Sequence, residues 1–306
     1  MALTLTEAAK QEKGDAHRSA IIEVFAKSHA FLRELPFENI EGNALSYSQE
    51  EVLPGITFRG VNEAFTEDAG IINPVTEHLS ISGGDLDVDR FIMQTMGAGQ
   101  RGAREAMKVK NLAHSFAHNI IKGDSDTDAR QFDGLQKRIP TTSSQALRVA
   151  DGAGDPLSIS QLDALIDMVD EPSHLIMSKA MRRRITQAAR LTTVGGFITY
   201  DLDAFGRRVT HYNDLPIVVA DENASAFASL DFTEEGTSST SIYCVSWRPS
   251  MMVGIQNGGM SVRDLGELQA GAPAYRTRVE WYAGIAIFHP RAAARLWDIT
   301  DVDAVA

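Results

Sequence analysis

Gly102 to Lys122 reads GAREAMKVKNLAHSFAHNIIK, and along it Ala106, Val109, Ala113, Phe116, Ala117 and Ile120 return at three- and four-residue intervals. That spacing places one apolar stripe on an α-helix of about six turns. Gly123 and the polar run Asp124 to Asp128 close the helix, in keeping with glycine's access to the left-handed region just past a helix end. A helix this long needs a broad surface to lie on, so the segments on either side of it decide the fold.

Upstream, Asn43 to Asp89 has the texture of short β runs: Ala44 to Ser48, Ile56 to Val61 and His78 to Ser82. Pro54-Gly55, Asn73-Pro74 and Gly83-Gly84 punctuate them. The pattern predicts a long two-stranded excursion. Phe58, Phe65, Ile71 and Ile72 fall in its middle, and a two-stranded ribbon cannot bury them by itself. Before it, Thr4 and Glu7 form a capping box. Gly14 interrupts the helix they open, and Ile21, Ile22, Phe25, Phe31, Leu32 and Leu35 then recur at helical spacings until Pro36. That apolar face lies either on the chain's own core or on a neighbour.

Downstream, the spacing predicts two helices between about 155 and 190, the first opened by Ser158 or Ser160 and the second by Pro172, with Arg182-Arg183-Arg184 near its end. Strands are expected at Phe197 to Leu202, Arg207 to Tyr212, Ile217 to Ala220, Ser241 to Trp247, Met252 to Gln256 and Arg278 to Phe288, and a last short helix at Pro290 to Trp297. Arg90 to Met96 also reads as strand. Helices and strands come in blocks, which makes the class α+β.

The 306 residues are 43% hydrophobic, enough for a sizeable core. Forty-one Asp and Glu against 29 Lys and Arg give a net charge of -12, which repels phosphate backbones and argues against a dedicated nucleic-acid binder. A container that encloses DNA without gripping it tolerates such a charge. The single cysteine, Cys244, excludes an intrachain disulfide and a multi-cysteine zinc cage and fits a reducing cytosol. The first twenty residues have no uninterrupted apolar region for a signal peptide, and no later stretch reaches the ~18 apolar residues of a membrane span.

The chemical motifs are weak. Gly97-Ala98-Gly99-Gln100-Arg101-Gly102 matches G-x-G-x-x-G between a strand-like run and a helix, which invites a nicotinamide-dependent oxidoreductase. The acidic residue that should end a second strand is replaced by the polar loop Asp124 to Asp128. Asp124, Asp126 and Asp128 begin like a calcium loop, but Ala129 stands where glycine is needed and Leu135 where glutamate is. His114 and His118 have metal-binding spacing without a third ligand or the zinc-protease glutamate, Ser115 standing in its place. Cys244 sits in an alternating strand with no glycine elbow. The reading is therefore no catalytic residue, no cofactor and no metal.

The order of elements and several stretches resemble the major capsid proteins of tailed bacteriophages, the Hong Kong 97-type fold. MALTLTEAAK at the start, ELPFENIEGNALSYSQEEVLPG and FRGVNEAFTEDAG are similar to the arm and extended loop of one branch of that family. FDGL at Phe132 to Leu135 is similar to the segment just past the family's spine helix, and VEWYAGIAIFHPRAAARLWDI from Val279 to Ile299 is similar to its late peripheral strand and return. The resemblance implies an arm (1–42), an extended loop (43–92), a peripheral domain with a spine helix (93–150), an axial domain (151–257) and a late peripheral strand and return (258–306).

It implies, too, a shell subunit that forms hexamers and pentamers with itself, assembles in the host bacterial cytoplasm and encloses phage DNA in the virion without sequence-specific binding or a membrane. Portal and decoration proteins are the expected partners. The stretch from Val52 to Gly84 holds no lysine, so the isopeptide cross-link of some members is not expected. The arm begins almost at Met1, which implies a separate scaffold protein or none. Phe25, Phe31, Leu32 and Leu35 of the arm and Phe58, Phe65, Ile71 and Ile72 of the loop are the expected subunit contacts. An encapsulin-like nanocompartment shares the fold and is the alternative.

Overall fold

The computed structural model describes residues 29–52, 54–68, 70–96, 99–149, 155–190, 198–202, 208–220, 229–234, 238–268 and 273–305. Its organising element is the 14-residue strand Ala274–Ile287. Thr277, Val279, Trp281 and Ala283 alternate inward there while Arg276, Arg278, Glu280 and Tyr282 lie on the other face. One edge of this strand pairs with Ser80–Asp89; the other pairs with Ser261–Glu267 near its start and Met252–Gln256 near its end. Phe37–Asn39 joins the sheet in parallel beside Met252–Gln256. Gly254 is required there, because a Cβ would stand 2.5 Å from the Phe37 ring.

The long helix, Gly99–Lys122, lies across the inward face of this sheet. Phe116 packs with its ring centroid 4.4 Å from that of Trp281, Phe37 stands 5.4 Å from Trp281, and Phe132 adds a fourth ring 5.5 Å from Phe116. The indole N–H of Trp281 donates to Gln256 at 3.0 Å, so this ring is buried without an orphaned donor. Phe31, Leu32 and Leu35 fill the same core from the short helix Ala30–Glu34 and the residue after it.

A second sheet of seven strands runs in the order Ala146–Arg148, Ala293–Ile299, Thr240–Val245, His174–Met177, Leu215–Val219, Arg208–Tyr212, Ile198–Leu202. Helices Ile159–Asp167 and Lys179–Ala188 contribute to its core. At its centre Arg295 is fully buried, bonded to Glu234 at 3.1 Å and to Ser241 at 3.0 Å. Burial raises the Glu234 carboxyl above its ordinary range while the Ser241 hydroxyl and Arg295 act against that shift. Strand Ala146–Arg148 belongs to this sheet and Met252–Gln256 to the other, so both sheets cross the divisions expected at 150 and 257.

Several expectations are corrected. Arg90–Met96 is helix, started by the Asp89 carboxylate accepting the Phe91 N–H at 2.7 Å. Pro172 leads into the strand His174–Met177, and the helix after it is capped by Ser178, which accepts from the Met181 N–H. The arginine triplet therefore falls mid-helix, where Arg184 bonds Asp301 and Asp303. Past a 3-10 turn at Pro290–Ala292, Ala293–Ile299 is strand: both its edges are paired, and tertiary pairing overrides the helix propensity of Ala-Ala-Arg-Leu. Strand Ser261–Glu267 was not foreseen. Gly123 does not take a left-handed conformation; a Cβ there would strike the backbone oxygens of Asn119 and Phe132. The Thr4–Glu7 box lies outside the described residues.

His29 secures the short helix Ala30–Glu34 as a neutral imidazole. Its Nδ1 accepts the Phe31 N–H at 3.3 Å, which leaves Nε2–H to donate to the Ala220 carbonyl at 3.0 Å. Burial lowers this imidazole to about 4. Its stabilising contribution is complete above the unfolded value near ~6.5 and is lost as pH falls toward about 4. Denaturation of the unassembled subunit is expected to lose on the order of 3 kcal/mol across that window through this group, and His29→Gln should flatten that part of the profile. Trp281→Ala should cost about 3 to 5 kcal/mol in the same measurement.

Candidate assembly interface

The two-stranded excursion exists, with strands Ala44–Val52 and Ile71–His78 in antiparallel register from Ala44 opposite His78 to Val52 opposite Ile71. Strand pairing ends there. Residues 54–60 and 63–68 form no strand, so the β run expected at Ile56 to Val61 is unpaired. They are joined by a turn in which the Glu63 N–H bonds the Gly60 carbonyl and Asn62 takes φ +68°. Side chains hold the tip in shape: Asp68 accepts the Gly55 N–H at 2.7 Å, Glu63 accepts the Gly60 N–H at 2.8 Å, and the Arg59 guanidinium stands 5.1 Å over the Phe65 ring.

The base of the ribbon is fixed to the body. Arg138 grips Glu77 through both nitrogens at 2.5 and 2.6 Å, the fork geometry that makes arginine–carboxylate pairs directional. The Tyr47 hydroxyl donates to the Ile287 carbonyl at 2.7 Å, and its ring meets Phe288 edge-on at 4.9 Å. Burial, with Glu77 nearby, pushes the Tyr47 hydroxyl up to about 12. Leu45, Tyr47 and Phe288 cover Val253, Ile255 and Ala286 on the second face of the central sheet.

The expected contact residues divide. Phe58 is 101% exposed and Phe65 65%, and Ile71 and Ile72 are also open to solvent. Phe31, Leu32 and Leu35 are wholly buried in the chain's own core, Phe31 between His29 and Trp247, and are thereby removed from the set of surface contacts. Phe25 lies outside the described residues. The sequence reading missed exposed Ile56, Val61 and Ile81; the alternation Ser80-Ile81-Ser82 was the signal for the last. A set of large apolar side chains left exposed by the described residues marks a surface for association.

The other motifs resolve into structure. The glycine motif joins two helices instead of a strand and a helix, with Gly97 and Ala98 outside the described residues. Lys137 sends its ammonium among Asp124, Asp126 and Asp133 at 2.8, 2.9 and 3.0 Å, occupying the centre of that acidic loop. The first of these carboxyls is held down to about 2 by its bond to Lys137. His118 faces Ser229 and His114 lies edge-on to His29. Cys244 is buried in its strand, and desolvation pushes its thiol up to about 12. Among the described residues no three His, Cys, Asp or Glu gather as a metal site, and no helix is long and apolar enough to cross a membrane.

The family described as Major capsid protein GP7 matches residues 12–160, just under half of the chain. No curated protein matches by sequence. Among solved structures the chain is similar to the SrpI encapsulin of Synechococcus elongatus PCC 7942, at 17% identity and TM-score 0.65 over 90% of this chain and 89% of that one. It is also similar to a chain of Mycobacterium phage Adephagia, at 12% identity and TM-score 0.62 over 96% of each. The capsid of a native GTA particle gives 12% and 0.62 over 89% of this chain and 91% of the other. The fold is thus that of the Hong Kong 97-type shell proteins. The family match at residues 12–160 spans the ribbon and the long helix, two of the elements that define this fold.

The Glu77–Arg138 pair sets the direction in which the ribbon leaves the body. Arg138→Ala strands a largely buried carboxylate, which costs about 3 kcal/mol or more. Hydrogen exchange should show residues 44–52 and 71–78 opening faster in this variant while the amides of Ala274–Ile287 keep their protection.

Proposed function

We propose that this subunit forms hexamers and pentamers of an icosahedral shell that encloses phage DNA, and that the tip of its ribbon is a principal contact between copies. The observation that carries the reading is Phe58, fully exposed on a pre-shaped tip, with Phe65, Ile71 and Ile72 also exposed on the same excursion. A shell repeats one heterologous contact around each symmetry axis, so one uncovered element per chain can be buried many times over. Phe25 joins this contact set from the arm. The net charge of -12 suits a wall that confines DNA without gripping it. The reading is of a structural chain without catalysis, assembled in the host cytoplasm and later meeting portal and decoration proteins.

The divisions of the chain are read as arm 1–42, loop 43–92, peripheral 93–150, axial 151–257 and return 258–306. In that reading Ala146–Arg148 reaches from the peripheral division into the seven-stranded sheet, and Met252–Gln256 from the axial division into the five-stranded one. The similarity to the SrpI encapsulin supports a second reading, a protein-filled compartment; the phage capsid family matched at residues 12–160 favours the first.

Negative-stain electron microscopy of the purified protein, with light scattering for particle mass, tests the contact. Phe58→Asp and Phe65→Asp should each leave a folded subunit and abolish closed particles; shells forming as in the parent protein with both variants would refute the assignment. Nuclease-protected DNA inside particles from infected cells distinguishes a phage head from a compartment loaded with protein.

A further inference from the structure

Strand Ser80–Asp89 is an edge. It pairs with Ala274–Ile287 along its whole length, and its other edge meets no strand among the described residues. The two halves of that edge differ. From Asp85 onward it carries Asp85, Asp87 and Asp89, the first two in ion pairs with Arg278 and Arg276, the kind of charge that protects an edge from stray pairing. From Ser80 to Gly84 it reads SISGG, without charge, and Ile81 is 75% exposed.

Beside this uncharged half runs a cleft of about 290 Å³. The long helix and the loop at 130–132 form its other walls, with Leu112, Phe116 and Phe132 as apolar lining and Lys108 and Arg130 as its charged groups. Among the described residues no carboxylate lines it. The ribbon tip is its complement. Ile56 to Gly60 is strand-prone by sequence yet pairs with no strand, and residues 54–68 carry three carboxylates, Glu63, Glu67 and Asp68, against one arginine, Arg59.

We infer that Ile56–Gly60 of one copy adds as a strand to the open edge Ser80–Gly84 of a neighbouring copy. Both segments are five residues long, and pairing them satisfies backbone groups on each. Alternation puts Ile56 and Phe58 on one side of the added strand, toward the apolar lining. The carboxylates after the turn then approach Lys108 and Arg130. The inference rests on the ribbon tip being a contact between copies and names the surface that receives it.

Hydrogen exchange on the wild-type protein tests this without any substitution. In closed shells the amides of 56–60 and of 80–84 should both exchange at least about tenfold more slowly than in unassembled subunits. Unchanged exchange at either segment overturns the inference, and protection of 80–84 alone means that something else occupies the edge. In parallel, Ile81→Cys combined with Thr57→Cys or with Arg59→Cys, side chains that the pairing puts on the same face, samples neighbouring registers; oxidation of shells should yield ladders of covalent multimers in one combination, and ladders in neither count against the pairing. If Phe58→Asp abolishes shells while 80–84 shows no protection in the parent, the tip remains a contact and only its receiving surface is wrong. If neither Phe58→Asp nor Phe65→Asp affects assembly, the contact reading itself fails.

Discussion

The packing of Phe116 on Trp281 is the contact on which the rest of the molecule depends. Trp281 lies near the middle of a strand whose edges hold three others, and Phe116 lies on the helix that covers them. Because core side chains pack at crystal-like density, fixing these rings fixes the height of the helix above the sheet. Phe37 and Phe132 can then close against them. The edge strand, the cleft beside it and the base of the ribbon are all placed relative to that one layer.

The charges divide their labour around that layer. Buried charge serves as fixed internal joints: Arg295 with Glu234 in the seven-stranded sheet and Arg138 with Glu77 at the ribbon base. Such pairs are poor sources of net stability but strict about geometry. On the open face of the central sheet, Arg276 and Arg278 are matched to Asp87 and Asp85, pairs of small individual worth that keep the face hydrated and the edge guarded. A chain with an open sheet edge has reason to guard the parts of that edge that must stay unpaired.

Much of this was legible in the sequence where periodicity was strong. The stripe from Ala106 to Ile120 gave the long helix, and the run from Arg278 to Phe288 marked most of the central strand. Exposure of Phe58 and Phe65 was foreseeable because a two-stranded ribbon has no interior. Where the sequence misled, the reasons were nonlocal. Ala293–Ile299 has a helix former's composition and becomes a strand because both neighbours offer it backbone partners. Phe31, Leu32 and Leu35 show the same helical spacing whether they face their own core or a neighbour's, and only the position of Trp247 and His29 decides the matter. Ile56 to Val61 has strand composition, but composition does not say whose strand.

The shape of the tip bears on how strongly copies should adhere. An apolar loop that had to be ordered on contact would lose on the order of 1 to 2 kcal/mol per residue in backbone entropy. Here Asp68, Glu63 and the stack of Arg59 on Phe65 hold the turn in advance, so more of the burial energy is left for association. A closed shell does not need each contact to be strong, since simultaneous contacts on one subunit multiply through effective concentration. It needs each to be geometrically definite and weak enough to reverse when misplaced. A short, preformed tip carrying a few large apolar side chains on a rigidly rooted ribbon meets both conditions.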